Sequence, residues 1–206
     1  SNKNNKIIQV GHIERFNPAF YSIKDENIKP LFVESHRLSP FNIRGTDVDV
    51  ILDLMIHDID ILLALDNSNI KDLRASGVSV LSKNIDTANA RIEFDSGCVA
   101  NITASRISQK KLRKFRFFEK NSYTTIDFLN PSIEKYILTK TKPNKNDSFI
   151  TISENKEKFI IYDKPNIPDH NALRKELEHF ISSISLSSTP MTDGYSGMAA
   201  LKIAIQ

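Results

Sequence analysis

From Val48 to Leu65 nearly every side chain is apolar, and the exceptions include Asp53, His57, Asp58 and Asp60. A helix apolar on all sides has to lie largely inside the molecule, so the rest of the chain must supply surfaces that wrap it. Residues three and four apart stack on one helix face, which sets Asp53, His57 and Asp60 in one polar line on that buried surface. Ionisable groups are costly there unless they are paired or hydrogen-bonded. Two readings meet that cost. In one, His57 is a general base oriented by Asp53 and facing a cleft. In the other, the acids close a structural network or cap a loop.

The chain has 206 residues. A protein of that size buries roughly 70% of its unfolded surface, and residues 1–206 are expected to form a single α+β domain. The net charge of +3 comes from interspersed acids and bases, which gives no case for a nucleic-acid partner. The densest basic run, Lys110–Arg116, is broken by Leu112 and Phe115 and reads as a strand with a solvated face. One cysteine, Cys98, excludes an internal disulfide and a zinc site of paired cysteines. His12, His36, His170 and His179 lack acidic or cysteine partners at ligand spacing, so no metal is expected. No uncharged apolar run is long enough to cross a membrane and no leader is evident. A cytoplasmic location is expected. Both ends of the chain read as cuts in a longer protein.

Lys6–Ile13 alternates loosely and is expected to be a strand. Asn17 and Pro18 open a short helix to about Lys24, with Asn17 as its N-cap. Leu31–Leu38 is a second strand; Thr46 or Asp47 caps the long helix, which ends near Asp66. Strands follow at Asp72–Leu81, Thr87–Phe94 and Cys98–Ser105, the last two joined by the turn Asp95-Ser96-Gly97. Further strands are expected at Lys114–Glu119, Ser122–Phe128, Glu134–Thr139, Phe149–Ser153 and Lys158–Tyr162, with Lys140–Asp147 an exposed loop. Helices return over His170–Leu186, with an apolar stripe of Leu173, Leu177, Phe180, Ile181 and Ile184, and over Asp193–Gln206. This order implies a mainly antiparallel sheet with helices packed on one face. Ile102, Phe115, Phe117, Tyr123 and Ile126 are expected to make its open face apolar enough for a homo-oligomer interface. None of the six glycines forms a G-x-G-x-x-G loop, so no cofactor-binding residues are assigned in this chain.

Four motifs occur in order: Val10-Gly11-His12-Ile13-Glu14-Arg15-Phe16-Asn17-Pro18-Ala19; Asp53-x-x-x-His57-Asp58-x-Asp60; Asp86-x-Ala88-x-Ala90-Arg91-Ile92-x-Phe94-x-x-Gly97; and Thr103-Ala104-Ser105-Arg106. Together they resemble the C-terminal domain of Gfo/Idh/MocA-type oxidoreductases, over essentially the whole chain. The resemblance implies a substrate-binding and oligomerisation domain whose dinucleotide-binding Rossmann domain is absent here. NAD or NADP would bind that other domain, and this chain alone would be inactive. The catalytic lysine of the family's Glu-Lys-Pro motif has no counterpart here. His57 would take the proton of a sugar hydroxyl while hydride passes to the nicotinamide, with Asp53 orienting the ring and Asp60 behind them. Arg15 would hold a substrate carboxylate or phosphate, or make an ordinary ion pair. Asn17 is a weak substrate-binding candidate beside its role as cap, and Arg106 is another. The Gly-His-Ile-Glu-Arg-Phe-Asn-Pro form resembles bacterial members acting on nucleotide-activated amino sugars, which makes a nucleotide sugar such as UDP-N-acetylglucosamine the expected substrate, with a free sugar or cyclitol as the alternative substrate. The alternative is a non-catalytic binding or assembly module that keeps the fold.

Overall fold

The computed structural model describes residues 6–43, 45–143, 148–151 and 158–206. Nine strands form one sheet: β1 (Phe32–Leu38), β2 (Ile70–Val78), β3 (Thr87–Phe94), β4 (Val99–Ser105), β5 (Leu112–Glu119), β6 (Ser122–Asp127), β7 (Ser132–Thr139), β8 (Ser148–Thr151) and β9 (Phe159–Asp163). Their spatial order is β2-β3-β4-β1-β5-β6-β7-β9-β8. Only β1 and β4 run parallel; all other pairs are antiparallel. Four α-helices complete the domain: α1 (Pro18–Ile23), α2 (Ile56–Leu65), α3 (Ala172–Ser185) and α4 (Gly194–Ala204). This is the α+β architecture expected from the sequence. The β3–β4 turn works because Gly97 holds φ at 91°, a left-handed conformation in which only glycine is unstrained. Ser153, placed in a strand from the sequence, lies outside the described residues, as does much of the 140–147 loop.

Alternation along the strands decides which face is dry. Val33, Ser35 and Arg37 of β1 point inward, in register with Ala100, Ile102 and Ala104 of β4 and with Phe117, Phe115 and Arg113 of β5. The apolar ones among these, with Ile126 and Ile133, join Met55, Ile59 and Leu62 of the long helical segment and Phe20 of α1 in one core. Ile102, Phe115, Phe117 and Ile126 are therefore on the covered face, contrary to the expectation that they line the open one. A strand's period of two leaves them no other side once β1 and β4 are paired. Tyr123 does face outward. There it belongs to a ladder of five rings, Phe32, Phe118, Tyr123, Tyr136 and Tyr162, whose neighbouring centroids are 5.8, 4.7, 5.5 and 5.1 Å apart.

Three other expectations change. Lys6–Ile13 is not a strand. Val10 N donates to Thr192 O (2.7 Å) and Thr192 Oγ1 to Val10 O (2.8 Å), and then Ile13–Phe16 tightens into a 3₁₀ turn. With a single loop residue as partner, no ladder can propagate. The long helix starts at Val50, not at Thr46 or Asp47. Its first turn, Ile51–Met55, is a π-helix that leads into α2. Thr46 spends its hydroxyl on Ile43 O (2.8 Å), while the Asp49 carboxylate takes Ile85 N (2.7 Å). Finally, the stripe on α3 points away from the core. Leu173, Leu177, Ile181 and Ile184 are exposed, and the inner side carries Glu176, His179 and Ser183, which lie against Gln9 and Phe16.

The two faces of β5 differ in a way that unfolding measurements can read. Phe117→Ala removes a ring with 1% exposure and is expected to cost about 3–5 kcal/mol in urea unfolding. Phe118→Ala, on the open face, is expected to cost distinctly less. Equal losses would mean that the outer face is also core.

Candidate active site

The helix carrying the Asp/His motif lies over β1 and β4, and its polar residues meet an arginine that the strand drives inward. Arg37 is 2% exposed. Its Nε and Nη2 donate to Asp58 Oδ2 (2.6 Å) and Oδ1 (3.1 Å), and its Nη1 to Glu14 Oε1 (2.7 Å). Glu14 also receives Arg113 Nη1 (3.3 Å) and Asn17 Nδ2 (3.2 Å). Although burial opposes the charge on Arg37, the Asp58 and Glu14 carboxylates outweigh it and hold the guanidinium firmly protonated. Beside this cluster Arg15 forks onto Asp60, Nε to Oδ2 (2.6 Å) and Nη2 to Oδ1 (3.0 Å), and also reaches the Asp60 carbonyl (3.1 Å). Such bidentate pairs are geometrically specific as well as strong.

A second closed network lies just past the C-terminal end of β4, around Arg106. Arg106 donates Nε to Asp86 Oδ1 (3.0 Å), Nη1 to Gly45 O (2.7 Å) and Nη2 to Ile85 O (2.9 Å). The other oxygen of Asp86 accepts the backbone N–H groups of Val80, Leu81 and Ser82. Bonded in this way, led by the Ser82 hydroxyl on Oδ1, Asp86 is held far below the usual carboxylate range. Arg106 thus secures the loops at Gly45 and Ile85.

Against this background two imidazoles and one half-buried carboxylate stand out beside the paired charges. His57 Nδ1 and His12 Nε2 are buried without a hydrogen-bond partner. The half-buried Asp53 carboxylate lies 3.2 Å from where a Cβ on Gly45 would stand. Burial raises its pKa, Arg106 opposes that rise and Asp47 adds to it. Burial also lowers the pKa of His57 to about 4; the Arg37 charge pushes the same way and Asp58 opposes it, with smaller lowering contributions from His12 and Arg113. No hydrogen bond joins Asp53 to His57, and their charged neighbours differ. The line of Asp53, His57 and Asp60 therefore divides: Asp60 belongs to Arg15, His57 faces His12 and Arg37, and Asp53 faces the Gly45 turn. The π turn sits where the division occurs, and such turns cluster at functional sites.

Each residue singled out in the sequence can now be placed. Asn17 caps α1, its Oδ1 accepting from Ala19 N (3.2 Å), and its Nδ2 also donates to Phe128 O (3.0 Å). Arg15 and Arg106 direct their guanidinium groups to protein acceptors. His57 Nδ1 keeps no partner among the described residues, and the Asp53 carboxylate lies beside the Gly45 turn. Among the described residues β1 and β4 are the one parallel pair, and neither leads through a glycine-rich turn into a helix N-terminus. Among the described residues no three His, Cys, Asp or Glu side chains converge to hold a metal ion, and no helix is long and apolar enough to cross a membrane.

Residues 32–121, from β1 to the β5–β6 turn, match the family described as the GFO/IDH/MocA C-terminal domain. This segment of the chain belongs to that family. It is also 31% identical over 205 residues to a UDP-N-acetylglucosamine 3-dehydrogenase of Acidithiobacillus ferrooxidans, covering 97% of this chain and 61% of that protein. The structure of GnnA, the enzyme of that name from the same organism, superposes with a TM-score of 0.84 at 30% identity, covering 100% of this chain and 61% of the other. A Clostridium difficile dehydrogenase (MviM) matches with a TM-score of 0.72 at 19% identity, over 100% of this chain and 62% of its own, which is a likeness of fold. The chain thus spans about three-fifths of the length of the relatives it matches.

In this GFO/IDH/MocA domain, sequence reasoning missed His12, Glu14, Arg37, Asp58 and Arg113 as members of the site. Arg37 had a readable signal. It shares the inward parity of Val33 and Ser35 in β1, and an arginine there requires carboxylate partners. Which carboxylates meet it depends on how the helix lies on the sheet, and spacing along the chain does not carry that.

Arg37→Met leaves Glu14 and Asp58 as uncompensated buried charges and is expected to destabilise the domain by about 3–5 kcal/mol in chemical denaturation. A loss under about 1 kcal/mol would mean that the pairs are solvated. The histidines give a pH dependence of definite sign. His57 in the folded state titrates near 4, below the unfolded value of about 6.5, and His12 is shifted the same way. Between those values the unfolded chain binds more protons, so stability rises with pH through that window. Unfolding midpoints should therefore fall from pH 6.5 towards 4, and His57→Asn should flatten the slope. A slope unchanged by that substitution would contradict the depressed value.

Proposed function

We propose that this domain is the substrate-binding half of an NAD(P)-dependent oxidoreductase that oxidises a hydroxyl of a nucleotide sugar, with UDP-N-acetylglucosamine as the substrate and His57 as general base. The observation that supports it is the contrast around α2. Arg15, Arg37, Asp58, Asp60, Asp86 and Arg106 are paired within the protein, whereas His57 Nδ1 is buried without a partner and Asp53 stands half-buried beside the Gly45 turn. Unpaired polar groups at a largely buried helix are costly, and a bound substrate would supply their partners. The 31% identity to an enzyme acting on UDP-N-acetylglucosamine supports the substrate.

The chemistry follows from the two open groups. His57 is neutral at pH 7, so a ring nitrogen can accept a proton. Nδ1 is buried, which leaves Nε2 as the nitrogen that a substrate can reach. The sugar O–H breaks, its proton goes to His57 Nε2, and the carbon–oxygen bond becomes a carbonyl as the C–H electron pair leaves as hydride. A dinucleotide held by a separate domain, as the family resemblance implies, would supply the acceptor for that hydride. Asp53, one turn earlier, would accept a hydrogen bond from a neighbouring hydroxyl and draw the sugar towards His57.

The same reading places the protein in the cytoplasm, where the single buried thiol of Cys98 stays reduced. It also takes the open sheet face as the homo-oligomer interface, because the five-ring ladder gives that face a continuous aromatic stripe.

The test is NADH or NADPH formation by the full-length protein with UDP-N-acetylglucosamine, free hexoses and inositol. Turnover on the nucleotide sugar is expected. His57→Ala should lower kcat by about 10²–10⁴-fold, as for loss of a general base, with a smaller change in KM. An intact fold without turnover on any of these would favour the non-catalytic module, and unchanged kcat in the variant would remove His57 from the chemistry.

A further inference from the structure

His12 has no part in the mechanism above, yet its surroundings are those of a working group. It is 5% exposed, and its Nε2 is buried without a hydrogen-bond partner, as is His57 Nδ1. The two rings meet edge to face, with centroids 6.2 Å apart and planes at 89°. His12 Nε2 also lies 4.0 Å from Asp60 Oδ1, beyond hydrogen-bond range but near enough for charge to be felt. Buried ring nitrogens without partners are uncommon and call for an explanation. Two of them in facing rings, beside a carboxylate, supply the two to four polar partners that one buried water needs.

We propose that His12 is a positioning residue for His57, joined to it through one water that accepts from His57 Nδ1–H and donates to His12 Nε2. The inference rests on the reading of His57 as general base. The arrangement fixes the His57 tautomer, with the proton on Nδ1 and the lone pair on Nε2 towards the substrate. When Nε2 takes the sugar proton, Nδ1 releases its own to the water, which passes one of its protons to His12 Nε2. One proton enters the pair and the charge moves to His12, where Asp60 stabilises it. The groups facing this pair are Asp60 and Arg15 on the His12 side, and Arg37, Asp58 and Arg113 on the His57 side. Arg37, Asp58 and Arg113 leave a protonated His57 with two cations and one anion nearby. A cation on His12 instead has one anion, Asp60, and one cation, Arg15, nearby, a smaller excess of positive charge than at His57, which favours the transfer.

The test combines ¹⁵N NMR of imidazole-labelled full-length protein with kinetics. In the unsubstituted protein His57 should be the neutral Nδ1-protonated tautomer at pH 7. In His12→Phe that preference should be lost and the His57 titration should move by about one unit or more. His12→Gln, which keeps a hydrogen-bonding group, should hold the tautomer. kcat on UDP-N-acetylglucosamine should fall about 10- to 100-fold in His12→Phe, the usual scale for loss of an orienting partner, with KM little changed and partial recovery in His12→Gln. An unchanged His57 tautomer and titration in His12→Phe would overturn the proposal. Should that variant not fold, His12→Gln carries the same test: loss of the tautomer despite a retained amide would overturn it. The NMR result is independent of turnover, so an inactive but correctly titrating protein would count against the proposed function and not against the His12–His57 link.

Discussion

Arg37 buried between Glu14 and Asp58 is the constraint from which the rest of the site follows. A guanidinium at an inward position of a central strand is tolerable only if carboxylates meet it from above, and both do so at hydrogen-bond distance. One comes from the 3₁₀ turn near the start of the chain and the other from α2. The ion cluster therefore ties three segments that are distant in sequence to one point on the sheet. Apolar burial could bring them there, but a bidentate fork sets their relative orientation far more narrowly than Leu or Ile contacts do.

That orientation has a chemical consequence. With Asp58 taken by Arg37 and Asp60 by Arg15, the acids beside His57 are occupied, and the imidazole is buried next to a cation instead of being paired with a carboxylate. It is kept neutral, and so able to accept a proton, without a protein group bonded to Nδ1. Asp53 stays apart from it because the π turn and the Gly45 loop give that carboxylate different neighbours. The common template of a base oriented directly by an acid does not describe this ring. An orienting partner has to come from elsewhere, and His12 faces it.

The sheet was largely legible in the sequence, because strands with period-two burial and glycine or Asx turns announce themselves locally. β3, with Ala88, Ala90, Ile92 and Phe94 all inward, and its turn at Gly97 are examples. Alternation does not say which of two faces will be covered, so Phe115 and Phe117 were assigned to the wrong side. The stripe on α3 had the same limit: the period located one face of the helix and could not tell that this face is outward. At the site, the Asp53–His57 spacing was visible, whereas the division of that line between Arg15, Arg37 and the Gly45 turn depended on tertiary pairing. His12 was set aside for lacking partners in sequence, and it is the absence of partners in space that makes it informative.

The central claim is that the paired charges around α2 leave His57 open for a substrate hydroxyl. A structure of the full-length protein with oxidised dinucleotide and UDP-N-acetylglucosamine tests it most directly. The account predicts a ring hydroxyl of the sugar at about 2.6–3.2 Å from His57 Nε2, with Arg15–Asp60 and Arg37–Asp58 unbroken. A sugar bound elsewhere, or a complex in which His57 Nε2 is bonded to a protein group, would contradict it.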